Sequence, residues 1–250
     1  MSDIVYFECT TLPANKQGVI AEENGAYIQA VGALNVLNSA GAHYKASGVE
    51  QLFHESSDLI RRVRNGDCKA EEGHPKPFGL TEDEYIARIN IIEETRVCAL
   101  HRRLWLDFNA CKDGSVLIMS EIVPTGFYGP ALKQSYANPG ENVNFSIRSF
   151  TEDRFHNGRV EKTILDVVTF DRVTEPGINK ARAFQSPALE SLVSVPVTPR
   201  NVINSGKVLT GMGLESSGLI IPPQALFNAL GWEFKNTTAA KPSYLKWLDQ

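Results

Sequence analysis

The sequence predicts an α+β fold: a curled sheet or small, mostly antiparallel β-barrel with a few helices around it and a C-terminal extension. Three observations lead there. Apolar residues alternate with period two on either side of Asp113-Gly114 and again on either side of Asn157-Gly158, and both dipeptides are hairpin signals. Apolar residues recur at helical spacing in two short stretches, 48–64 and 81–92. Beyond Ser186 periodicity is weak, and Pro187, Pro196, Pro199, Pro222 and Pro223 punctuate the chain. Residues 1–186 are therefore read as one core domain and 187–250 as the extension.

In order, Ile4 to Cys9 reads as a short strand, and Ala26 to Leu37 is apolar enough for either strand or helix. Val49, Leu52, Phe53, Leu59, Ile60 and Val63 recur at helical spacing, and Asn65-Gly66 stops that helix. After a loop containing Gly73-His74-Pro75, the capping box Thr81-Glu82-Asp83-Glu84 opens a helix with Tyr85, Ile86, Ile89 and Ile92 on one face. From Val97 the period becomes two: Cys98, Leu100, Leu104, Leu106 and Phe108 share one face, and His101, Arg103, Trp105 and Asp107 the other. Ser115 to Val123 is the returning strand, broken by Pro124-Thr125-Gly126, and Pro130 to Tyr136 supplies one or two helical turns. Glu141 to Phe150 and Val160 to Val173 form the second strand pair, and Pro223 to Leu230 a short helix in the extension.

Composition narrows the function classes. At 42% hydrophobic and 22% charged, the chain is an ordinary globular protein, and its net charge of -4 argues against general electrostatic binding of nucleic acid. No apolar run has the length of a membrane span and no signal peptide precedes the first strand, so a cytoplasmic location is expected. Cys9, Cys68, Cys98 and Cys111 are scattered, which suits buried thiols better than a disulfide framework or a zinc site. There is neither an H-E-x-x-H metal motif nor a phosphate-cradling glycine loop, so neither metal nor cofactor is expected.

The residue types that carry chemistry converge on one strand. Val143, Phe145, Ile147 and Ser149 turn towards a core, which leaves Ser146 and Arg148 on the other face, about 7 Å apart. A serine beside a fixed cation is either a nucleophile with an anion-stabilising neighbour or part of a solvated face. His74 lies between Gly and Pro, where constrained backbone can aim the ring. His43, His54 and His156 read as solvated, while His101, beside Arg103 and Trp105, is a rival base. Asp166 and Asp171 are five residues apart on a strand and point to opposite faces unless a bulge intervenes. Asp166 shares its face with Ile164, Val168 and Phe170, and Asp171 with Leu165, Val167, Thr169 and Val173, so burial does not choose between them.

Several pieces occur in one order: Gly73-His74-Pro75, Leu104-Trp105-Leu106-Asp107, Pro124-Thr125-Gly126, Phe145-Ser146-Ile147-Arg148 and Phe170-Asp171-Arg172, the last shortly before Pro176-Gly177. Over about residues 65–183 this resembles the prohead maturation proteases of tailed bacteriophages, whose fold is similar to the herpesvirus assemblins. Two glycines flanking the family's serine motif are Asn144 and Ser149 here, and its second serine is Ile147, which makes Ser149 a rival nucleophile. The resemblance implies an assemblin-like protease domain over 1–186, with Ser146 as nucleophile, His74 as base and Asp171 as third member. Arg148 would support the oxyanion or pair on the strand face. The resemblance also implies action in the host cytoplasm, inside the assembling prohead, on major capsid and scaffold or core proteins, with homo-oligomerisation left open. The alternative is a prohead core or scaffold component that keeps the fold without activity. The extension would then dock on scaffold and be cut away, or pack on the core through Leu226, Leu230, Trp232 and Trp247.

Overall fold

The structure, a computed structural model, describes residues 5–13, 22–38, 41–109, 111, 113–138, 140–174, 194–211 and 219–232. The strands in chain order are β1 (Val5–Pro13), β2 (Tyr27–Leu34), β3 (Val36–Leu37), β4 (His43–Lys45), β5 (Lys69–Glu71), β6 (Val97–Asp107), β7 (Val116–Pro124), β8 (Asn144–His156), β9 (Arg159–Val173) and β10 (Ser194–Val197). The α-helices are α1 (Asp58–Asn65), α2 (Glu82–Ile89), α3 (Gly129–Ala137), α4 (Pro199–Gly211) and α5 (Pro223–Leu230). The α+β class and both hairpins, β6–β7 and β8–β9, agree with the sequence reading, and the ambiguous segment after Ala26 is strand.

The described strands form two sheets and no closed barrel. One has the order β10-β1-β8-β9-β4-β3 and the other β2-β7-β6-β5. Closure needs a continuous ladder between the sheets. Here the three-residue β5 ends in a single parallel bridge, Glu72 to Arg172, and the sheets otherwise meet through side chains. Val31, Leu34, Ile118, Ile122, Phe145, Ile147, Val167 and Phe170 fill the core between them. Each such side chain contributes about 1.5–3 kcal/mol of burial.

A second core lies on the opposite face of β8–β9, where Phe150 and Val168 meet Tyr85, Ile86 and Ile89 of α2. Val197 of β10, Val202 of α4, and Leu226 and Phe227 of α5 complete it. Part of the segment after Ser186 thus packs on the body and covers a sheet face; Trp247 lies outside the described residues.

Two local departures have simple causes. The helix read over 48–64 is a 3-10 turn, Val49–Phe53, followed by α1. Ser57 stays extended, and its Oγ accepts from the Ile60 N–H, starting the chain afresh as an N-cap. The α2 capping box forms as the sequence indicates: Thr81 Oγ1 accepts from Glu84 N–H at 3.3 Å, and Glu84 Oε2 from Thr81 N–H at 2.7 Å.

Candidate active site

Ser146 and Asp171 are directly opposed in the β8–β9 ladder. Opposed residues keep their Cβ atoms about 5 Å apart on one face of the sheet. Both residues are fully buried. The β8–β9 register skips Val168 and Leu165, and each bulge reverses the alternation along β9. As a result Asp166 comes round to the same face as Asp171, but opposite Phe150 and further along the strand. Its carboxylate accepts from the Val167 N–H, and burial raises its pKa.

The His74 loop reaches this point because β5 docks on β9. Thr169 Oγ1 donates to the Lys69 carbonyl at 2.6 Å, Glu71 N–H to Asp171 Oδ1 at 3.1 Å, and Gly73 N–H to the Arg172 carbonyl at 2.7 Å. Gly73 has φ +75, a conformation glycine adopts without strain, and the chain turns there to present His74. Tyr85 of α2 then donates its hydroxyl to the Pro75 carbonyl and pins the far side of the loop. With these restraints His74 Nδ1 lies 2.9 Å from Asp171 Oδ2. Its Nε2 is buried and has no hydrogen-bond partner among the described residues. The structure therefore joins His74 to Asp171 and sets Ser146 opposite Asp171 in the ladder, while no hydrogen bond among the described residues runs from His74 Nε2 to Ser146. Asp171 fixes the tautomer with the proton on Nδ1, leaving Nε2 able to accept one.

Arg148 is not on a solvated face. It is fully buried, with Nε and Nη2 each 2.7 Å from Asp171 Oδ2 and Nη1 3.0 Å from the Ile91 carbonyl. Nη2 also lies 3.4 Å from Glu71 Oε2. Burial by itself raises the pKa of Asp171, but the charge of Arg148 and the bond from His74 outweigh it and hold the carboxyl below its ordinary value. Asp171 is thus an ionised acceptor behind the imidazole. Glu71 is the residue that sequence reasoning passed over. The one available signal was an acidic pair, Glu71-Glu72, immediately ahead of Gly73-His74-Pro75.

The rivals are placed elsewhere. A bulge at Arg102 turns His101 away from exposed Arg103 and into the first core, between Phe145 and Phe170. Its Nε2 donates to the Phe170 carbonyl and its Nδ1 faces Ser120 Oγ; burial pushes its pKa down to about 4. A neutral imidazole with both nitrogens bonded in the core has no route to Ser146. Ser149 stands opposite Val167, on the face of the first core. The Cys68 thiol is pushed up to about 11 by burial, and Cys98 is raised for the same reason. Among the described residues no three His, Cys, Asp or Glu side chains are grouped to hold a metal ion, and no helix is long and apolar enough to cross a membrane.

Comparison with known families puts the chain among peptidases. It belongs to the Peptidase S80 family, whose profile matches residues 7–220, in agreement with the resemblance carried by the motifs. The chain is 32% identical over 245 residues to the capsid maturation protease of Pseudomonas phage phiKZ, an alignment covering 93% of this chain and 90% of that protein. Among solved structures, that of the bacteriophage T4 capsid assembly protease aligns with a TM-score of 0.49 and 11% identity, over 69% of this chain and 99% of the other.

Proposed function

We propose that the protein is a serine endopeptidase that cleaves capsid and scaffold proteins during phage prohead maturation. The observation that carries this reading is the His74–Asp171 bond directly across the strand pair from Ser146. Membership of a peptidase family and the similarity to the phiKZ capsid maturation protease support it.

In this mechanism Ser146 Oγ attacks the scissile carbonyl carbon while His74 Nε2 takes its proton. Asp171 keeps Nδ1–H in place and stabilises the imidazolium. Collapse of the tetrahedral intermediate expels the amine, which takes the proton from Nε2 and leaves an acyl-serine. Water then repeats the sequence, releases the acid and restores Ser146. Arg148, drawn up against Asp171, fits a supporting role behind the imidazole better than contact with the oxyanion.

Fluorophosphonate labelling and cleavage of co-expressed major capsid protein test the proposal. Wild type is expected to label and cleave, and Ser146→Ala and His74→Ala to do neither while staying folded. A folded wild-type sample that neither labels nor cleaves would instead favour a non-enzymatic prohead core component.

A further inference from the structure

We propose that Glu71 is a positioning residue for this site, holding the Arg148 guanidinium so that Asp171 keeps Oδ2 turned to His74. The inference rests on the peptidase reading above and goes a layer deeper into the same site. The Glu71 carboxylate is fully buried, a location that demands charged partners. Arg88 of α2 grips it with two bonds, Nη1 to Oε1 at 3.0 Å and Nη2 to Oε2 at 2.6 Å. The Glu93 N–H donates to Oε1 at 2.7 Å, and Arg96 Nε stands 3.8 Å from Oε2. The remaining neighbour is Arg148, whose Nη2 is shared between Glu71 and Asp171.

The geometry around Asp171 shows why this sharing matters. Oδ2 faces three nitrogens at once: His74 Nδ1 at 2.9 Å, and Arg148 Nε and Nη2, each at 2.7 Å. Arg148 and His74 therefore compete for one oxygen. Glu71 Oε2 stands 3.4 Å from the outer guanidinium nitrogen, an ion-pair distance that holds Arg148 in register with Asp171 while leaving the oxygen open to His74. It also supplies charge. The carboxylates of Glu71, Glu93 and Asp171 face the guanidinium groups of Arg88, Arg96 and Arg148, so loss of Glu71 leaves an excess of positive charge behind the His74 imidazolium. The same residue fixes the other carboxylate oxygen, since its backbone N–H donates to Asp171 Oδ1. A purely structural ion pair between Glu71 and Arg88 would need none of these links to Asp171.

The test is the rate of labelling by a fluorophosphonate over a pH series, in wild type, Glu71→Gln and Arg88→Lys. Glu71→Gln keeps the size and an acceptor but removes the charge. Its rate is expected to fall about 10–100-fold, the range found for the hydrogen-bond partners of metal-ligating side chains. The acid limb of its profile is expected to move to lower pH, because the positive form of the base has lost a stabilising charge. Arg88→Lys keeps the charge of Glu71 but loosens the two-pronged grip, so a smaller fall with the acid limb in place is expected; if Glu71→Gln does not fold, an unchanged rate in Arg88→Lys overturns the inference. An unchanged rate in Glu71→Gln overturns it too, and so does a fall in that variant with the acid limb unmoved, which is the mark of mere structural loosening. No labelling of wild type would instead sink the peptidase reading itself.

Discussion

At the residue scale the site turns on a single oxygen, Asp171 Oδ2, which receives both the imidazole and the guanidinium. Asp171→Asn keeps the shape but offers Nδ1 of His74 the wrong partner, so turnover is expected to fall by about 10⁴-fold, whereas Asp166→Asn stays near wild type. Near-normal cleavage by Asp171→Asn together with loss in Asp166→Asn would reverse the assignment. Because the fold lowers the pKa of Asp171, its ionised form stabilises the folded chain. That contribution is complete above the ordinary carboxylate value of about 3.9 and disappears as pH falls through the lower folded value. Acid titration of wild type should therefore lose stability below about pH 4 in a step that Asp171→Asn lacks, and identical acid transitions would refute this. Motif order alone singled out Ser146, His74 and Asp171, and the contact between His74 and Asp171 across the sequence agrees with that choice. The burial of Arg148 was not legible, since alternation alone gives its face to solvent while the elements that bury it lie far away in sequence. His101 was misplaced because a one-residue bulge leaves no mark in the pattern of side chains.

At the element scale, α2 and the turn after β7 set the loop positions. α2 was readable from its capping box, and its two working contacts, Tyr85 to Pro75 and Arg88 to Glu71, come from successive turns of the same short helix. The Pro124-Thr125-Gly126 turn was read as a break, and the structure explains why glycine sits there. Gly126 has φ +70, and a Cβ at this position would lie 2.6 Å from the Val97 carbonyl oxygen. Gly126→Ala must shift the start of β6, and the expected cost is about 1–3 kcal/mol in a denaturant melt. A melt within a few tenths of a kcal/mol of wild type would show that the turn can relax. The split of residues 48–64 was not legible, because apolar spacing carried across the break that Ser57 makes.

At the scale of the whole molecule, the described part of the segment after Ser186 closes the second core. We propose that any maturation cut in it falls beyond Trp232. Truncation there is expected to leave a cooperative melt. Truncation before Ser194 strips Val197, Val202, Leu226 and Phe227 from Phe150 and Val168, and the product is expected to aggregate or melt broadly. A well-folded product of the shorter truncation would return the segment to the status of a detachable appendage. Proline content suggested extension here, and the few apolar residues that anchor the segment were too sparse to show periodicity.

The docking of β5 has a further consequence. This three-residue edge strand brings His74 to Asp171, 97 positions along the chain, through a handful of bonds between β5 with its following loop and β9. Segments held in this way open at a lower free energy than the cores behind them. Amide hydrogen exchange at Glu71 and Gly73 is therefore expected to run ahead of exchange in β8 and β9, while the strand pair that carries Ser146 and Asp171 stays protected.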